Sequence, residues 1–210
     1  FIIKINYNLI MIDLLKYSKK NLVFGFIINK ILGIKINNIS NLFFYKDKID
    51  LKMNTDFFYD YKNDIPETKW SGKNPGEHYQ SNHDLQNYKE FNDAIQSLEN
   101  FLNNKFKKEI LKFNFMGKFK IKSLWFTIQK TNQGHPKHNH PKSIFSGVYY
   151  HSIEKDKGGE IEIFIDNKKT THKLEKNDLL IFHSDTFHSV KPYFGEKDRI
   201  AIAWDAIYTF

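Results

Sequence analysis

The chain is expected to be mainly β, a sandwich or barrel of short antiparallel strands behind a helical N-terminal region. Three observations predict this. From residue 118 the pattern alternates with period two, as in "KFKIKSLWFTIQK", the mark of a strand buried on one face. Further β-rich runs follow at short intervals: "SIFSGVYYHSI", "GGEIEIFID", "KKTTHKL", "NDLLIFH" and "DRIAIAWDAIYTF". Between them lie "EKDKGG", "DNKK", "EKND" and "YFGEKD", turn-like clusters that mix charge with Gly, Asn and Asp. No helical pattern interrupts the series, and many short strands at this spacing build a sandwich or barrel.

Upstream the pattern differs. Residues 1 to about 52 are apolar and basic, and Leu9, Ile12 and Tyr17 recur near helical spacing. The most apolar stretch, residues 21–34, contains Lys30 and is too short to span a membrane. No small-residue cleavage motif follows it, so no signal peptide is expected. Residue 1 is Phe rather than Met, as expected of a fragment or a processed chain. Residues 53–84 are rich in Asn, Asp, Gly, Pro and Ser and read as a loop. Residues 85–112 read as one amphipathic helix, with Phe91, Ile95, Leu98, Leu102 and Phe106 on one face and Asp84 as N-cap.

Composition narrows the function classes. Cysteine is absent, which excludes a disulfide framework, a thiolate metal site and a Cys nucleophile. It also fits a reducing compartment, so a cytoplasmic location is expected. The net charge is +8, but the lysines are scattered. Nucleic-acid binding asks for a patch as well as a charge, so no nucleic-acid partner is expected.

The histidines carry the chemistry. Four of the nine in the chain fall within "HPKHNHPKSIFSGVYYH", residues 135–151. His138 and His140 are two apart, and on a strand such residues share a face, so both imidazoles are able to reach one ion. His188 lies fifty residues later, in "LLIFHSDTFHSV". A distant His on a paired strand is how an antiparallel barrel completes such a site, and imidazole suits Fe, Zn, Cu or Ni. His135 reads as a loop residue, and His78, His83 and His172 as structural or surface residues. His183 reads as packed or solvent-facing. His151 would line the pocket if Tyr149 faced the interior.

Eleven residues after His188 comes Arg199, and eleven after His138 comes Tyr149. With "GGEIEIF" between them, this order resembles that of the Fe(II)/2-oxoglutarate-dependent oxygenases of the prolyl-hydroxylase type. The resemblance is strongest to the 2OG-Fe(II) oxygenase family marked by H-x-H-P…SGVYY. Its motifs stand here as "HNHPKSIFSGVYY", "LLIFHSDTFHSVKP" and "RIAIAWD", and the likeness extends upstream through "NPGEHYQSNHDL". It covers roughly residues 57–208.

The resemblance implies a double-stranded β-helix (a jelly-roll, cupin-like barrel) with supporting helices. Residues 1–56 would be an apolar, basic, helical extension: a cap, a dimerisation arm or the remnant of a preceding domain. Residues 57–210 would be the oxygenase-like domain, with helical support at 85–112 and the barrel at 118–210. A homodimer is among the expected states. The implied cofactors are Fe(II) and 2-oxoglutarate. The implied activity is hydroxylation of a small molecule or a side chain, with 2-oxoglutarate decarboxylated to succinate.

By the same resemblance His138 and His188 would be iron ligands. Arg199, the only arginine in the chain, would anchor the far carboxylate of 2-oxoglutarate, a task for a planar fork that lysine lacks. Tyr149 would assist it, with Tyr150 facing outward. The family pattern has a carboxylate where this chain has His140. Either His140 is the third ligand, or the iron has two protein ligands, or a carboxylate such as Asp185 or Glu160 completes the site. Two other functions stay open from the residues alone: a three-His, cupin-like enzyme that does not use 2-oxoglutarate, and a non-catalytic β-barrel module.

Overall fold

A computed structural model describes residues 44–69, 78–110, 117–165 and 168–209. The expected helix around residues 9–17 and the apolar run 21–34 lie outside these. The strands are β1 (Phe44–Lys48), β2 (Tyr79–Gln80), β3 (Lys118–Gln129), β4 (Gln133–His138) and β5 (Phe145–Ser152), then β6 (Ile161–Ile165), β7 (Lys168–His172), β8 (Asp178–His183), β9 (Phe187–Tyr193) and β10 (Arg199–Thr209). The α-helices are α1 (Thr55–Asp64) and α2 (Asn92–Phe101).

The strands form a six-stranded sheet, β1-β8-β5-β10-β3-β2, and a four-stranded sheet, β4-β9-β6-β7. Every pairing is antiparallel. This is the expected double-stranded β-helix. Among the described residues no helix is long and apolar enough to cross a membrane.

Two apolar clusters hold the layers. One lies between the sheets and contains Tyr150, Ile161, Ile163, Leu180, Phe182 and Ala201. The larger lies on the other face of the six-stranded sheet, where the helices bury Phe58, Leu98, Leu102 and Phe106 against residues such as Phe126, Ile202 and Trp204. The central strands β5 and β10 are therefore buried on both faces.

The helical support differs from expectation in detail. Residues 85–91 form 3₁₀ turns, α2 follows, and Leu102–Ile110 continue as a wider π-helix. The predicted stripe still points inward: Phe91, Leu98, Leu102 and Phe106 are fully buried, and Ile95 packs against them. Asp84 makes no side-chain capping bond.

Two upstream expectations are corrected. The presumed loop 53–84 contains α1, capped by the Asn54 side chain accepting from the Asp56 amide. Its Phe57, Phe58 and Tyr61 interlock as an aromatic cluster with Phe91 and Phe126, which outweighs the loop-like composition of its flanks. The boundary at residue 56 also moves. Phe44–Lys48 pair with β8, and Lys46 forms a 2.7 Å ion pair with the buried Asp178. The described part of the expected extension is thus a barrel strand and the start of a packed helix.

Gly147, in the middle of "SGVYY", lies opposite Trp204 on β10. A Cβ there would overlap the Trp204 indole and meet the Leu180 carbonyl oxygen at 2.5 Å. Gly147→Ala is expected to destabilise the protein by about 1–3 kcal/mol through overpacking. Thermal unfolding checks this; an unchanged midpoint would mean that the indole has room to move.

Candidate active site

Strand parity builds the pocket. On β10, Arg199, Ala201, Ala203 and Asp205 alternate onto the face between the sheets, while Ile200, Ile202 and Trp204 join the outer core. The register sets Gln129 beside Arg199, Thr127 and Tyr150 either side of Ala201, and Trp125 and Val148 either side of Ala203. Two alanines in the middle of this row leave a cavity rather than a filled barrel. Its opposite wall is made by His135, His138, His188 and Val190 of the smaller sheet.

The metal-type cluster sits on that wall. His138 of β4 lies directly opposite His188 of β9, with ring centroids 4.2 Å apart. His140 lies just past the end of β4, and its backbone amide donates to the Ser184 carbonyl at 2.7 Å. That bond brings its ring to 5.0 Å from His138 and 5.2 Å from His188. One ligand atom from each of the three lies within 4.8 Å of the others. Among the described residues no carboxylate joins this group. Of the alternatives to His140, Asp185 instead lies 3.9 Å from His183, and Glu160 is absent from the cluster.

The rings are already aimed. The His138 Nδ1–H donates to the Pro136 carbonyl at 2.9 Å, and the His188 Nδ1–H to the Thr186 carbonyl at 3.0 Å. A carbonyl accepts only, so the proton of each neutral ring sits on Nδ1 and the lone pair on Nε2. His140 turns its Nδ1 toward Asp205 Oδ1, 3.8 Å away. Burial is the first cause holding all three imidazoles neutral. It lowers His138, and together with the neighbouring histidines it lowers His140 to about 2 and His188 to about 3. Neutral imidazoles with free Nε2 lone pairs are what a divalent cation requires, so the donor set fits Fe(II).

The other end of the cavity is a cation without a counter-ion. Arg199 is 2% exposed, yet pairs with no carboxylate among the described residues. Its guanidinium donates to Gln129 Oε1 and lies 4.9 Å from the centre of the Tyr150 ring. Its Nε and the Tyr150 hydroxyl are buried without hydrogen-bond partners. Unsatisfied donors around a buried cation call for an anionic acceptor, and the keto acid 2-oxoglutarate has a carboxylate at each end.

The tyrosine pair is the reverse of the sequence reading. Tyr149 turns to the helical side and donates to Asn177 Oδ1 at 2.7 Å. Tyr150 lines the cavity with Arg199. His151 follows Tyr149, contacting Thr55 at 2.8 Å and Phe58. His135 is a β4 residue, not a loop residue. Its ring stacks on His138 at 4.1 Å and lies 4.4 Å from His78. His78 is buried and donates to the Gly134 carbonyl at 3.0 Å. Gln80 bridges His78 and His83, and His83 stacks on Trp125. Neither His135 nor this network announces itself by spacing. Gln129 and Asp205 would have been found by counting alternate residues from Arg199 and across the register.

The histidine cluster makes stability depend on pH. Burial lowers His135 and His140 to about 2, His188 to about 3 and His83 to about 4. Each binds a proton below about 6.5 only after unfolding, so its contribution is full above that pH and is lost as pH falls. Asp205 has the opposite sign: burial raises it to about 6, which favours the folded state on acidification. Four groups against one leave the histidines dominant. The metal-free protein is expected to hold its thermal stability above about pH 6.5 and to lose it steadily from there to about pH 5; a flat profile in a thermal-melt series would show that the rings are hydrated.

Comparison with known proteins follows the same line. Residues 123–174 match the family model described as "Putative 2OG-Fe(II) oxygenase". No curated protein matches the chain. Among solved structures, a 2OG-Fe(II) oxygenase family oxidoreductase from Burkholderia pseudomallei superposes with a TM-score of 0.55 at 10% identity, covering 81% of this chain and 88% of that one. A prolyl-4-hydroxylase from Pseudomonas putida gives 0.53 at 12% identity, over 80% and 95%. A Trichoplax adhaerens prolyl hydroxylase, in complex with a hypoxia inducible factor peptide fragment, gives 0.51 at 15% identity, over 89% and 92%. At these identities the structures show the shared fold. The family match adds that residues 123–174, which hold β4, β5 and β6, are similar in sequence to a 2OG-Fe(II) oxygenase.

Proposed function

We propose that the protein hydroxylates a small molecule or a side chain, with His138, His140 and His188 holding the iron through Nε2 and Arg199 with Tyr150 holding the cosubstrate. The observation that carries this reading is the pairing of two features in one cavity: three neutral imidazoles converging at one end, and a buried, uncompensated arginine at the other. Bound Fe(II) and 2-oxoglutarate supply the oxidising chemistry, with O₂ consumed, succinate and CO₂ released and a hydroxyl delivered to the substrate.

The chain's own residues do the rest. His138 and His188 keep their Nε2 lone pairs turned into the cavity through bonds to their own strands. Arg199 offers Nε and the guanidinium fork to the carboxylate farthest from the metal, and Tyr150 adds a hydroxyl donor. Gln129 accepts from the guanidinium and leaves it fully charged, where an acid would neutralise it. Trp125, Val148 and Phe182 shield the space between.

Anaerobic addition of Fe(II) and then 2-oxoglutarate is expected to produce a visible charge-transfer band. His138→Ala should abolish it. Arg199→Ala should raise the 2-oxoglutarate concentration needed by about 10- to 100-fold, the worth of a charged hydrogen-bonded contact. Tyr150→Phe should weaken the cosubstrate and Tyr149→Phe should not. Tight iron binding without a band would support a three-His enzyme that does not use 2-oxoglutarate; no iron binding would remove the proposal.

Gln129→Glu provides a separate check. The new carboxylate would pair with Arg199 and compete with the cosubstrate. Iron affinity should be unchanged while 2-oxoglutarate affinity falls at least about tenfold. Unchanged cosubstrate affinity would place the anion elsewhere in the cavity.

A further inference from the structure

His140 stands where the family pattern has a carboxylate, yet a carboxylate is close by. Asp205 lies on the cavity-facing row of β10, three alternations beyond Arg199, and on the far side of the pair Ala201 and Ala203. A register shift between β10 and β3 falls directly after it, between Asp205 and Ala206. Such bulges re-aim the side chain beside them. Asp205 pairs with Ser146 of β5, whose hydroxyl donates to its Oδ1 at 2.6 Å. The same Oδ1 is 3.8 Å from His140 Nδ1, and both side chains are only 14% exposed. Among the described residues no lysine or arginine pairs with Asp205.

The three rings of the cluster differ in one respect. His138 and His188 each give the Nδ1 proton to a neutral backbone carbonyl, whereas His140 presents Nδ1 to a carboxylate. A histidine backed by a carboxylate is held in the tautomer that frees Nε2 and is a stronger donor to a metal. We infer that Asp205 is a positioning residue for the metal centre, backing His140 so that the negative charge of the family's ligating carboxylate is kept one residue further out. This rests on the reading of His138, His140 and His188 as the iron site.

The structural partners of Asp205 are the hydroxyls of Ser146 and Ser143, with no ion pair to a lysine or arginine among the described residues. The test therefore asks whether Asp205 acts through His140.

Co(II) serves as the probe, because its visible d–d bands report the ligand set without oxygen or cosubstrate. Affinity and spectrum are measured for wild type, Asp205→Ala, Asp205→Asn, His140→Ala and the double variant His140→Ala/Asp205→Ala. Asp205→Ala is expected to weaken Co(II) by about 10- to 100-fold and to shift the d–d bands. Asp205→Asn, which keeps the size and the Ser146 bond, should fall between and carries the test if the alanine variant does not fold. In the His140→Ala background the aspartate substitution should cost less than about threefold, because the route is gone. An equal loss in both backgrounds, or none in wild type, would overturn the inference while leaving the site intact. If His138→Ala and His188→Ala also leave Co(II) affinity unchanged, the metal-site reading itself falls, and this inference falls with it.

Discussion

The pairing of β4 with β9 is the contact on which the site depends. It sets His138 directly across from His188, and both face the cavity only in that register. A slip of one residue in β4 would turn His138 to the outer face of the smaller sheet, where Lys137 and Phe187 now meet at 5.2 Å, while His188 stayed in place through the pairing of β9 with β6. The strand that makes this contact is short and holds Gly134 and Pro136, so it contributes little intrinsic β preference. Its register is stabilised by the strand it pairs with and by the His140 amide reaching Ser184.

The opposite end of the cavity is dominated by electrostatics. A buried guanidinium without a counter-charge is costly, and here its surroundings soften the cost without removing it. Gln129 supplies an acceptor without a charge, Tyr150 supplies a ring face, and Gly159 lies close enough that an added Cβ would come within 3.2 Å of Arg199 Nε. Each neighbour orients the fork and none neutralises it. The histidine end is likewise kept neutral by burial, so the cavity holds a net positive field that favours a dianionic guest.

Much of this was legible in the sequence, for identifiable reasons. The strands from β5 to β8 and β10 carry clear apolar runs bounded by turn clusters, whereas His138 and His188 stand out by their spacing and Arg199 by its place in the motif order of the resemblance. The identity of the cavity-facing tyrosine was not legible. Tyr149 is 1% exposed and Tyr150 is fully buried, because helices cover one face of β5 and the second sheet covers the other. Hydropathy has no contrast to offer on a strand buried twice. His135 reads as a loop residue because "QGHPKH" lacks apolar residues, and pairing of β4 with β9 supplies what composition does not. α1 was hidden for the opposite reason: polar neighbours masked three aromatic residues whose helical spacing only their partners make visible.

The two hydrogen bonds that aim His138 and His188 have a consequence beyond orientation. Each acceptor, Pro136 or Thr186, lies two residues upstream of its own ring, so each imidazole carries its bracket within the same short segment. The aim of the ring is then independent of the fifty residues that separate the two histidines. Hairpins in that interval are free to lengthen, shorten or acquire new recognition loops without re-tuning these two rings, so long as β4 still finds β9. Such modularity would let one metal-binding frame serve new substrates through changes confined to its periphery.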